Sequence, residues 1–127
     1  MPKTLRAVLD VAEFDQVVAF YRDLLGWPVV GGWDRGPQDR GALVQVSAGG
    51  VLEVVGHGPD HRTPRNAGLV LAVELDDADG VDALHRRLRE AGVPTSAPVR
   101  QPWGHYSASL RDPVGTEIVL YAELTGR

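Results

Sequence analysis

A chain of 127 residues that is 43% hydrophobic and 24% charged has the make-up of one soluble globular domain with its own core. A net charge of −4 argues against a nucleic-acid partner, and no apolar run approaches the length that crosses a bilayer. Cysteine is absent, which removes disulfides, thiolate nucleophiles and thiolate metal ligands; with no signal-peptide pattern after Met1-Pro2-Lys3-Thr4, the cytoplasm is the expected compartment.

Leu5 to Val11 is apolar with Arg6 and Asp10 interposed and reads as a strand. Val17, Phe20, Tyr21, Leu24 and Leu25 follow at helical spacing, with Asp15 as the expected N-cap and Gly26 as the stop before Pro28. Val29 to Trp33 is a short strand, Asp34 to Arg40 a polar loop, and Ala42–Val46 with Val51–Val55 a hairpin around Ser47-Ala48-Gly49-Gly50. The stretch 56–67, rich in Gly, Pro, His and Arg, reads as a linker. The order then repeats. Leu69 to Leu75 is a strand, and Val81, Leu84, Leu88 and Ala91 form a helical stripe stopped by Gly92 and Pro94. Arg86, Arg87 and Arg89 suit the negative end of that helix. A short strand is expected near Pro98 to Arg100. Tyr106–Leu110 and Glu117–Tyr121 make a hairpin closed by Asp112-Pro113-Val114-Gly115, a type I turn followed by a left-handed glycine.

This is an internal repeat. Gly26-Trp27-Pro28 recurs 66 residues later as Gly92-Val93-Pro94, and Ala48-Gly49-Gly50-Val51-Leu52-Glu53 overlies Val114-Gly115-Thr116-Glu117-Ile118-Val119. The expected fold is α+β, with paired β-α-β-β-β modules over about 4–56 and about 68–123 forming one domain. Each sheet gives one face to its helix and the other to a concave, partly open cup.

Ala19-Phe20-Tyr21-Arg22-Asp23-Leu24-Leu25-Gly26-Trp27 resembles the vicinal oxygen chelate superfamily, which includes glyoxalase I, extradiol dioxygenases and fosfomycin and bleomycin resistance proteins. Pro102-Trp103-Gly104-His105-Tyr106 and Asp112 to Leu120 resemble its second-module signatures. The resemblance implies the glyoxalase/bleomycin-resistance-like fold and a homodimer with ligand cavities at or near the subunit interface. It also implies four metal-ligand positions, which fall here on Arg6, Glu53, Leu69 and Val119. A transition metal needs three or four N, O or S ligands, and a cationic guanidinium and two aliphatic side chains supply none. No metal and no other cofactor is therefore expected.

Arg6 and Glu53 should project into the same cup. Either they satisfy each other, or one meets a charged ligand group: Arg6 a carboxylate or phosphate, Glu53 an amine. Trp33, Trp103, Tyr106 and Tyr121 are candidate aromatic walls for a flat ligand, with core or interface filling as the alternative. Tyr106 is expected to point the same way as Tyr121, and His105 the opposite way. His57, Asp60 and His61 have ligand-like spacing but fall in the linker; His85 lies among helix arginines and is expected at the surface. No phosphate loop or nucleophile elbow is present. The function expected is a metal-independent binder that sequesters an aromatic or polycyclic ligand, as the resemblance to bleomycin resistance proteins implies. The alternatives are a metal-free isomerase, cyclase or lyase with Glu53 as acid or base, a metal-dependent lyase or dioxygenase on a site remodelled around Glu53 and His105, and a pure interaction module.

Overall fold

The computed structural model describes residues 3–60 and 68–124. The chain divides into two compact units, Met1–Arg65 and Asn66–Arg127. Each is a four-stranded open sheet with its own helix, an α+β arrangement. The expected linker over residues 61–67, His61 included, lies outside the described residues.

The first unit runs β1 (Leu5–Val11), α1 (Phe14–Ala19), β2 (Val29–Asp34), β3 (Arg40–Ser47) and β4 (Gly50–Gly56). Its strand order is β1-β4-β3-β2. The α1 crossover makes β1 parallel to β4, and the tight connections make the other neighbours antiparallel. Alternation places Leu9, Val11, Leu52, Val54, Ala42 and Val44 on one buried face. Val17, Val18, Phe20 and Tyr21 are buried with them, and α1 packs on β4. Full burial of each such side chain contributes about 1.5–3 kcal/mol.

The helix departs from the expected form at both ends. Glu13 stands at the N-cap without a side-chain cap bond, while Asp15 lies inside the first turn and accepts from Arg40 Nη2 at 2.8 Å and Nη1 at 3.2 Å. The Arg40 guanidinium also covers the Phe14 ring, 4.4 Å from its centroid. Asp15 stands past the capping position and its carboxylate is held by the guanidinium in a bidentate pair, so no side chain caps the helix. At the other end the helix widens to π geometry over Phe20–Leu24, with Leu25 N–H donating to Phe20 O at 3.1 Å. That wider turn accompanies the stacking of Tyr21 on Trp27 at 5.8 Å. Gly26, at φ 77°, then ends it.

The second unit repeats the plan with β5 (Val70–Glu74), α2 (Ala78–Glu90), β6 (Val99–Arg100), β7 (His105–Arg111) and β8 (Glu117–Glu123), in the order β5-β8-β7-β6. β5 begins at Val70, so Leu69, expected to open the strand, precedes it. Asp77 caps α2 by accepting from Gly80 N–H at 2.8 Å. Gly92, at φ 79°, stops α2 as Gly26 stops α1. Val81, Ala108 and Ala122 form a buried cluster with Leu75 and Tyr106 against it. The turn into β8 is tied by Asp112, whose Oδ1 accepts from Val114 N–H at 3.0 Å and Thr116 N–H at 2.8 Å. Among the described residues no helix is long and apolar enough to cross a membrane.

Candidate functional site

The face of the first sheet opposite its buried core carries the chemistry. Register sets it out in three rows across the strands. Arg6 lies beside Val51 and Gln45; Val8 beside Glu53, Leu43 and Gly31; Asp10 beside Val55, Gly41 and Trp33. Every position here is offset by one residue from the core face, as a strand's period of two requires.

At the centre Arg6 Nη1 donates to Glu53 Oε1 at 2.9 Å. The Glu53 side chain is 16% exposed and that of Arg6 50%. Each makes this one hydrogen bond among the described residues, so the rest of the guanidinium and Glu53 Oε2 keep their capacity for a further partner. Trp33 lies flat at the end of the third row. A Cβ on Gly41 would stand 2.3–2.5 Å from three of its ring carbons, so the indole occupies the space a side chain at 41 would fill. Its Nε1 donates to Asp39 Oδ1 at 2.8 Å, and Arg35 Nη1 donates to Asp39 Oδ2 at 3.0 Å. Those two bonds, that from Trp33 foremost, hold the Asp39 carboxyl below the usual carboxylate range. At the β1 end of that row Asp10 Oδ1 lies 3.0 Å from His57 Nδ1.

The corresponding face of the second sheet carries Val70, Ala72, Glu74, Val119, Tyr121, Ser107 and His105. His105 and Tyr121 stack at 4.4 Å, and the Tyr121 hydroxyl donates to Glu74 Oε1 at 3.5 Å. Burial pushes the Tyr121 phenol up, and Glu74 and Glu123 add to it.

Two expectations are corrected here. Tyr106 pairs with Ala122, and Tyr121 with Ser107, so the two tyrosines point to opposite faces. Tyr106 faces α2 and donates from its hydroxyl to Asp82 Oδ1 at 2.6 Å, while His105 shares the face of Tyr121. Trp103 sits in the turn between β6 and β7, closed by Gly104 N–H to Gln101 O at 3.1 Å, and is 68% exposed there. His85 is half-buried on α2, 3.4 Å from Thr95 Oγ1, which places it off both faces.

The positions that the sequence resemblance assigns to metal ligands do not supply a set of donors that fits a metal. The two positions in the first sheet, Arg6 and Glu53, offer one carboxylate, already held by a guanidinium. On the second, Val119 pairs with Ala72, and Val70 stands next to Leu69 at the strand's start. None of these aliphatic side chains carries a lone pair. Among the described residues no group of three His, Cys, Asp or Glu side chains stands close enough to hold an ion.

The sequence matches the family model of the Glyoxalase/Bleomycin resistance protein/Dioxygenase superfamily over residues 4–120. The chain belongs to this superfamily. Solved structures of superfamily type resemble it along nearly their whole length. A glyoxylase/bleomycin resistance protein/dioxygenase domain from Frankia sp. EAN1pec has a TM-score of 0.82 at 19% identity, covering 100% of this chain and 96% of that one. TnmS3, an antibiotic binding protein from Streptomyces sp. CB03234, has a TM-score of 0.76 at 27% identity, covering 97% of each. A lactoylglutathione lyase from Agrobacterium tumefaciens has a TM-score of 0.71 at 21% identity, covering 95% and 94%. A search of curated protein sequences finds no match.

Gly41, Asp39 and Asp10 were not among the residues singled out from sequence, and His57 stood out only for its spacing to Asp60 and His61. Asp10 was within reach, since it alternates with Arg6 in β1; Gly41 carries no local signal, because its partner Trp33 reaches it only through strand pairing.

Proposed function

We propose that this protein binds a small aromatic or polycyclic molecule without a metal and sequesters it, lowering its free concentration. The observation that carries this reading is the Arg6–Glu53 pair, which joins two positions that the resemblance assigns to metal ligands and leaves hydrogen-bonding capacity at an open face. A flat indole and the side chains of Val8, Leu43, Val51 and Val55 give that face an apolar floor. The 27% identity to an antibiotic binding protein over 97% of both chains supports the same reading. Homodimerisation and a cytoplasmic setting belong to this proposal. Exposed Leu5, Val8, Val30 and Val70 support the first, and the lack of cysteine is compatible with the second.

The test is a thermal-shift screen against polycyclic antibiotics, small aromatic acids and divalent metals, with Arg6→Ala and Glu53→Gln alongside. A ligand at a hundred times its Kd raises stability by about 2.7 kcal/mol, on the order of 10 °C in Tm for a chain of this size. The expected result is such a shift with an aromatic compound, diminished in either variant, and recovery of that compound unchanged by mass spectrometry. A shift with Zn²⁺ or Mn²⁺ lost in Glu53→Gln would overturn it, and time-dependent product formation would place Glu53 in acid–base catalysis instead.

A further inference from the structure

The way Arg6 and Glu53 hold each other points to the chemical class of the ligand; this step rests on the binding reading above. Arg6 spends one nitrogen, Nη1, on Glu53. A guanidinium has five N–H donors, and the edge formed by Nη2 and Nε matches a carboxylate in two parallel bonds. The Glu53 carboxylate spends Oε1 on Arg6, so Oε2 calls for a donor that the described residues do not supply. The cation is also the more accessible partner, at 50% exposed against 16%. An amine competing for Glu53 would sit beside a guanidinium of like charge; an acid approaching Arg6 meets the open side of the pair.

We infer that the open face of the first sheet selects aromatic hydroxy acids, the acid on the free edge of Arg6 and the hydroxyl donating to Glu53 Oε2. The ring system lies on the apolar floor toward Trp33, whose indole is held flat by Asp39 on one side and Gly41 beneath. A hydroxyl ortho to the acid closes a hydrogen bond on its own carboxylate and has no proton left for Glu53. The favoured ligand therefore carries the hydroxyl elsewhere on the ring.

Isothermal titration with four naphthalene probes tests this: 4-hydroxy-2-naphthoate, 3-hydroxy-2-naphthoate, 2-naphthoate and 2-(aminomethyl)naphthalene. The expected order places 4-hydroxy-2-naphthoate tighter than 2-naphthoate by about tenfold or more, the worth of a hydrogen bond to a charged group. The ortho isomer should fall near 2-naphthoate, and the amine should bind weakest. Glu53→Leu should abolish the advantage of the hydroxyl while keeping that of the acid, and Arg6→Met should abolish the advantage of the acid; circular dichroism checks that both variants fold. Equal affinity for all four probes would overturn the inference and leave binding of flat aromatics standing. An amine that binds best would overturn it in favour of Glu53 as the anchor. Failure of every probe overturns it too; an antibiotic shift in the thermal screen would then keep the sequestration reading alive, and the absence of both would end it.

Discussion

At the scale of single residues the decisive contact is between a glycine and an indole. Gly41 has no side chain, and the Trp33 ring fills that space within 2.3–2.5 Å of where a Cβ would stand. Gly41→Ala should therefore lift the indole off the sheet, since ring carbons and a Cβ cannot share a site. The expected outcome is a red shift of Trp33 emission, a stability loss of about 1 kcal/mol and a several-fold weaker grip on any flat ligand. Fluorescence against a Trp33→Phe background, thermal melting and titration with the naphthoates measure the three effects; unchanged emission would show that the ring does not depend on position 41. The meeting of Arg6 and Glu53 was legible through the family resemblance, which assigns both to ligand positions on strands that share a face. Tyr106 and Tyr121 were not. The connection between β7 and β8 pairs Arg111 with Glu117, and that register decides which of the two strands' residues stand opposite. Tyr121 thus meets Ser107, one place from Tyr106, and a one-residue offset reverses the face.

At the scale of elements, local signals fixed some boundaries and tertiary contacts fixed others. Gly26 and Gly92 were readable as helix stops, and both hold the left-handed conformation that the stop requires. The start of α1 was not readable, because Asp15 is claimed by Arg40 from β3, a partner 25 residues away. The π turn at Phe20–Leu24 was equally hidden, for it accompanies the packing of Tyr21 on Trp27 and has no spacing of its own. The start of α2, by contrast, rests on Asp77 alone, whose Oδ1 takes the Gly80 N–H. Asp77→Ala should cost about 1 kcal/mol, a fall of a few degrees in Tm, and Asp77→Asn should restore most of it. A Tm unmoved by Asp77→Ala would mean that burial of Val81 and Leu88 holds the helix without its cap.

At the scale of the whole molecule the two units share one strand order but are charged differently, and this sets how each responds to pH. In the first, the two hydrogen bonds from Arg40 hold the Asp15 carboxyl below its ordinary range. A carboxyl depressed in the folded state adds stability above its unfolded pKa, about 3.9, and that share is lost as pH falls through the lower folded value. In the second, the hydrogen bond to Asp82 raises the Tyr106 phenol, with burial adding to it. A raised group works in the opposite sense: its share is complete below about pH 10 and is lost as pH rises through the folded value. The Asp15 carboxyl and the Tyr106 hydroxyl lie at the surface, so each share is small, and the slope of stability against pH shows it better than stability itself. Urea midpoints measured from about pH 3 to 11 should show a plateau between two falling limbs. Arg40→Ala should lower the plateau through the lost stack on Phe14 and flatten the acid limb, leaving the alkaline limb in place. Tyr106→Phe should do the reverse, reducing the alkaline slope alone and leaving the share of Tyr121. If Arg40→Ala altered the alkaline slope, or Tyr106→Phe the acid one, these two contacts would not be the local origins of the limbs.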